Sequence, residues 1–122
     1  MGKIGFVYAG QGSQVVGMGQ SFYDNYQIAK DVFDNIDLDI DVKKLCFEGP
    51  LEELSLTRNT QPCMVAVAVV VTKLLKENGI APDYVAGLSL GEYSALNAAG
   101  VLDDQTAINL VRFRGQAMER AA

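Results

Sequence analysis

The sequence predicts an α/β fold in which a parallel sheet carries flanking helices. Three observations point to that class. Residues 3–10, KIGFVYAG, form a short apolar, aromatic and β-branched run closed by glycine. Residues 60–79, TQPCMVAVAVVVTKLLKENG, form an apolar stretch too long for a strand and bounded by helix signals. Residues 82–90, PDYVAGLSL, repeat the strand pattern and run into a glycine-flanked serine that a helical pattern follows. Strand, helix, strand, helix is the order of a parallel sheet.

The first run shows no alternation of apolar and polar side chains, so it reads as a strand buried on both faces. GQGSQVVGMGQ follows; it is glycine-rich and uncharged and reads as a loop. Phe22, Tyr26, Ala29, Val32, Phe33 and Ile36 then recur at intervals of three and four, a helical pattern. The acidic stretch to Leu54 reads as short helices and turns around Gly49 and Pro50. In the 60–79 helix, Thr60 suits the cap, Pro62 the first turn, Lys73 and Lys76 the last turns, and Gly79 the stop. Its middle is apolar on every side, which places it against other elements all round. GEYSALNAAG, residues 91–100, reads as a helix of small residues ended by Gly100. DDQTAINLVRFRGQAMERAA reads as a last helix capped by Asp103 or Asp104. Two strands are few for a sheet covered on both faces, and no stop signal follows the last helix, so the chain is expected to be part of a larger protein.

A chain of 122 residues suits one domain, and 49% apolar residues suffice for a core. A net charge of −5 argues against nucleic acid or an anionic membrane surface as partner. The acidic residues between 31 and 53 read as a solvated face. Cys46 and Cys63, with no histidine in the chain, make a poor metal set and no disulfide framework, so no metal is expected. No signal peptide is apparent, and the longest apolar run, CMVAVAVVV, is well short of the roughly 18 residues of a membrane span. A soluble cytoplasmic protein with reduced thiols is expected.

Gly87-Leu88-Ser89-Leu90-Gly91 carries the chemistry. In Gly-x-Ser-x-Gly a strand turns sharply into a helix and lifts the serine hydroxyl above the sheet. Gly87 and Gly91 leave room for the crossing strand and helix, and the Leu90 amide points at a developing oxyanion, a donor worth about 2.7–4 kcal/mol. The competing reading is a serine in an ordinary glycine-rich turn, and the strand-to-helix setting favours the nucleophile. The loop YAGQGSQ lacks the third glycine of a dinucleotide fingerprint and the Gly-Lys-Ser/Thr of a phosphate loop, so no cofactor is expected. At a strand end it is a candidate second oxyanion donor through Gln11, or else a flexible surface loop. In the last helix Ala107, Leu110, Val111, Ala117, Met118 and Ala121 make an apolar stripe, and Arg114 falls on it. Such an arginine either snorkels to the surface or reaches a cavity to hold a carboxylate. Arg112 lies elsewhere and is expected in solvent.

Together GQGSQVVGMG, TRNTQP, GLSLGE and RFRGQAM occur in the order and spacing of one family. The chain resembles the malonyl-CoA:acyl carrier protein transacylases of fatty acid synthesis and the acyltransferase domains of polyketide synthases, over essentially all its residues. The resemblance implies Ser89 as acylated nucleophile, Gln11 and the Leu90 amide as oxyanion donors, and Arg114 as clamp for the malonyl carboxylate. It implies malonyl-CoA and the phosphopantetheine of acyl carrier protein as partners. Family members are more than twice as long, with a catalytic histidine far downstream beyond an inserted ferredoxin-like subdomain. By resemblance, residues 1–122 are the N-terminal segment of the large α/β-hydrolase-like subdomain, with the ferredoxin-like subdomain and C-terminal segment absent. Little activity of the chain alone is then expected, together with self-association through an incomplete sheet.

Two positions depart from the family. Leu88 stands where a histidine is usual, which leaves the elbow intact and removes a polar group. Ala9 stands where the first loop usually begins with proline. Two other functions remain open: a non-catalytic module binding carrier protein or a partner chain, and a serine hydrolase, against which Arg114 argues because a simple ester needs no carboxylate clamp.

Overall fold

The computed structural model describes residues 2–122. It contains β1 (Gly5–Tyr8), α1 (Gln20–Asn25), α2 (Gln27–Asp34), α3 (Val42–Glu48), α4 (Leu51–Leu54), α5 (Thr57–Glu77), β2 (Tyr84–Gly87), α6 (Gly91–Ala98) and α7 (Asp104–Ala121). The strands pair in parallel, from Gly5 beside Tyr84 to Tyr8 beside Gly87, with α5 as the crossover. The α/β class and the parallel order follow the sequence pattern.

The apolar helix α5 is the axis of the core. Val65, Ala66, Val69 and Val70 are buried, against Ala29, Val32 and Phe33 of α2, Val42 and Cys46 of α3, and Ala107, Ile108 and Val111 of α7. Helix α7 runs close beside α5 because Gly115 has no side chain. A Cβ there would stand 2.8 Å from Arg58 Cα and 2.9 Å from the Thr57 carbonyl oxygen. Both cysteines are buried and unbridged. The thiol of Cys63 beside it and burial push the Cys46 thiol far above its ordinary range.

Three expectations need correction. The strands are not buried on both faces: Phe6 is buried, but Val7 is 82% exposed and Tyr84 and Ala86 beside it are exposed too. Double burial needs helices above and below, and among the described residues no helix covers the face that carries Val7. The helical pattern from Phe22 to Ile36 is two helices, α1 and α2, because Tyr26 is extended at φ −132° and ψ 128°. That break aims Ala29, Val32 and Phe33 of α2 at the core, while α1 buries no residue.

Helix α5 also begins three residues before Thr60, at Thr57. Thr60 does not cap it. Its hydroxyl donates to the carbonyls of Leu54 and Leu56, the latter at 3.0 Å. Pro62 therefore sits in the second turn, where its missing N–H leaves the Arg58 carbonyl without a helical partner. Arg112 Nη1 donates to that carbonyl instead, at 2.7 Å. The last helix is capped as its sequence indicates: Asp103 accepts from the Thr106 N–H at 2.7 Å.

Candidate active site

Strand β2 enters α6 through a tight bend at Ser89, whose φ is +54°. A non-glycine residue in that region costs about 1–3 kcal/mol, which the surroundings must hold in place. Both elbow glycines are required sterically. A Cβ on Gly87 would lie 2.1 Å from the Gly91 carbonyl carbon, and one on Gly91 would lie 2.3 Å from the Tyr8 carbonyl oxygen. The bend is thus folded against itself and against the end of β1. The buried Leu90 side chain anchors it below, and Ser89 remains exposed above. Among the described residues, no acceptor within the chain takes the backbone N–H of Leu90.

Three helices converge on this serine. Arg114 of α7 donates from Nη2 to Ser89 Oγ at 3.2 Å. Its Nη1 donates to Oε1 of Gln61 on α5 at 2.9 Å, and its guanidinium carbon lies 5.2 Å from the centre of the Tyr93 ring on α6. Gln61 is fully buried, and its Nε2 donates to Met118 Sδ at 3.2 Å. Ser89 and Arg114, 25 residues apart, therefore share one site.

The loop after β1 lies against the elbow, since a Cβ on Gly10 would come within 3.1 Å of the Leu88 carbonyl oxygen. The Gln11 side chain is turned to the start of α5, where Nε2 donates to Thr57 Oγ1 at 3.0 Å. Any oxyanion donor at Gln11 is thus its backbone N–H, which no acceptor in the chain takes among the described residues. Gln14 fastens the same loop by accepting from the Gly12 N–H at 2.8 Å. Leu88, next to Ser89, is 83% exposed.

The stripe on α7 is rotated from the expected one. Ala107, Ile108, Val111, Arg112 and Gly115 are buried, while Leu110 and Met118 are exposed. Arg112, expected in solvent, is the buried arginine and Arg114 is half-buried. The cause is tertiary. Arg112 meets the carboxylate of Asp39 through two bonds of 2.9 Å, and also the Arg58 carbonyl and Asn59 Oδ1. These partners allow a charge to stay inside. The hydrogen bond from Arg112 also holds the Asp39 carboxyl below its ordinary range. Sequence reasoning missed Gln61 and Tyr93. Gln61 had one signal, an amide standing just before a long apolar run.

Among the described residues no helix is long and apolar enough to cross a membrane, and no three His, Cys, Asp or Glu side chains are grouped to hold a metal.

A strand, a positive-φ serine and a small-residue helix on a parallel sheet define an α/β protein with a serine elbow. The family model described as acyl transferase domain matches residues 5–122, and the chain belongs to that family. Within it, the chain is 48% identical over 123 residues to the malonyl CoA-acyl carrier protein transacylase of Bacillus subtilis (strain 168), covering 99% of this chain and 39% of that protein. Among solved structures it is similar to MCAT from Streptococcus pneumoniae, with a TM-score of 0.93, 48% identity and coverage of 98% of this chain and 40% of that one. A type II PKS acyl-carrier protein in complex with its malonyl-transacylase is similar too, with a TM-score of 0.92, 40% identity and coverage of 99% and 40%. The chain thus spans about two fifths of the length of the relatives it matches.

Proposed function

We propose that this chain is the serine-bearing part of a malonyl-CoA:acyl carrier protein transacylase of fatty acid biosynthesis, the N-terminal segment of its large subdomain. The observation that carries the reading is the 3.2 Å contact between Arg114 and Ser89 Oγ, which puts a carboxylate-binding group beside a nucleophile. In the first half-reaction Ser89 Oγ attacks the thioester carbonyl carbon of malonyl-CoA and loses its proton to a base. The oxyanion collects at the backbone N–H groups of Leu90 and Gln11, with α6 behind it contributing its dipole. The C–S bond breaks, and coenzyme A leaves as the thiol after taking a proton. Arg114 holds the far carboxylate throughout. In the second half-reaction the phosphopantetheine thiol of acyl carrier protein attacks the seryl ester, and Ser89 leaves with its proton restored.

The 122 residues contain no histidine, so the histidine base that the family resemblance implies is not among them. A cytoplasmic setting with reduced thiols goes with this reading. Incubation with malonyl-CoA, followed by intact mass spectrometry, tests it. Slow malonylation mapping to Ser89, and absent from Ser89→Ala, supports the proposal. General-base assistance commonly supplies 10²- to 10⁴-fold, so rapid malonylation and handover to carrier protein by the chain alone contradicts the assignment of the base elsewhere.

A second reading is a non-catalytic module that binds carrier protein or a partner chain. Leu88, an exposed apolar side chain next to Ser89, favours it. An unmodified Ser89 together with saturable binding of carrier protein supports this alternative.

A further inference from the structure

We infer that Gln61 is a positioning residue, which fixes the plane of the Arg114 guanidinium and so sets the site's preference for acyl groups bearing a carboxylate. The inference rests on the clamp reading of Arg114 and adds to it the group that aims the clamp. A fully buried amide in an apolar helix is costly unless both its ends are paired. A guanidinium can only donate, so the Gln61 oxygen must face Arg114. The amide nitrogen then faces Met118 Sδ, a weak acceptor, at 3.2 Å. Met118 stands four residues after Arg114 on the same helix. The one amide therefore ties two successive turns of α7 to α5, where Gly115 allows the helices to approach.

The consequence is directional. Gln61 occupies one N–H of Nη1, and the Tyr93 ring lies 5.2 Å from the guanidinium carbon. Nη2 is left turned to Ser89. Being neutral, the amide holds the arginine without cancelling its charge. A glutamate in its place would hold the same nitrogen and compete with the substrate's carboxylate.

The test uses the malonyl and acetyl thioesters of N-acetylcysteamine, of which only the first carries a free carboxylate. Binding to the chain is followed by NMR of its ¹⁵N-labelled arginine side chains, with thermal unfolding as the check on folding. The wild type is expected to prefer the malonyl probe and to show slow rotation of the Arg114 guanidinium. Gln61→Leu is expected to lose about tenfold in malonyl binding, the worth of a hydrogen bond to a charged group, with acetyl binding unchanged and guanidinium rotation fast. Gln61→Glu is expected to keep rotation slow and still weaken malonyl binding. A wild type that binds both probes alike overturns the clamp reading itself. A wild type that prefers malonyl while Gln61→Leu matches it overturns the role of Gln61 alone. Should Gln61→Leu fail to fold, unchanged malonyl affinity in Gln61→Glu overturns that role equally.

Discussion

Gly91 stands so close to Tyr8 that a methyl group on it would lie 2.3 Å from the Tyr8 carbonyl oxygen. The first residue of α6 thus touches the last residue of β1, and the bend that presents Ser89 exists only while that contact stays bare. Gly91→Ala is expected to lower stability by about 1–3 kcal/mol, the usual cost of forcing atoms into a filled space, and to abolish acylation of Ser89. Thermal denaturation checks the first effect, with Gly2→Ala as a neutral control because nothing lies within 4 Å of it.

Arg112 stands in for the N–H that Pro62 lacks. Arg112→Ala leaves the Arg58 carbonyl and Asn59 Oδ1 without this donor, and a loss of about 1–3 kcal/mol is expected. Pro62→Ala returns an N–H to that carbonyl. In the Pro62→Ala background Arg112→Ala should therefore cost less, a coupling that urea denaturation of the four chains measures.

Acid should weaken the fold through identifiable carboxylates. The Asp39 carboxyl is held down by the Arg112 hydrogen bond, Glu119 by Arg58, and Asp103 by the Thr106 N–H it caps. Each folded-state pKa lies below the unfolded value of about 3.9 for Asp and 4.3 for Glu. The stabilisation is thus present above those values and is lost as pH falls through the lower folded ones. Asp39 and Asp103 are exposed and Glu119 is half-buried, so solvent screens all three and the unfolding midpoint should fall modestly below about pH 4. Glu119→Gln should show a shallower fall than the wild type between about pH 4 and 2.

The open face of the sheet should associate. Val7 is 82% exposed and Tyr84 58% exposed on that face, an apolar surface beside strand edges. Size-exclusion chromatography is expected to show concentration-dependent oligomers, which Val7→Lys reduces. A stable monomer at all concentrations would count against this.

Features that depend on neighbours in the chain were the legible ones. The elbow could be read because Gly-x-Ser-x-Gly is a five-residue pattern and the demand on Gly87 arises inside it, although the demand on Gly91 comes from Tyr8 of β1, and Asp103 could be read because a cap acts on its own helix. The start of α5 was misplaced because Thr60 and Pro62 resemble a helix beginning. Only the folded chain shows Thr60 bonded to Leu54 and Pro62 served by Arg112. The same tertiary partner explains the rotated stripe on α7: Arg112 goes inside because Asp39, 73 residues away, and a freed carbonyl await it. Arg114 lies beside Ser89 although the stripe used to locate it is displaced; the RGQAM resemblance points to it independently. Gln61 escaped notice because an amide before a proline looks like a helix start, and its role depends on α7 lying alongside.

The central claim is that Ser89 and Arg114 form one site for an acyl group ending in a carboxylate. The most direct measurement is the rate of Ser89 acylation by malonyl-CoA and by acetyl-CoA, followed over hours by intact mass in the wild type and in Arg114→Ala. A charged clamp of about 1.5–3 kcal/mol predicts a malonyl preference of roughly tenfold or more in the wild type, and its disappearance in Arg114→Ala with the acetyl rate little changed. Equal losses for both acyl groups, or no wild-type preference, would contradict it.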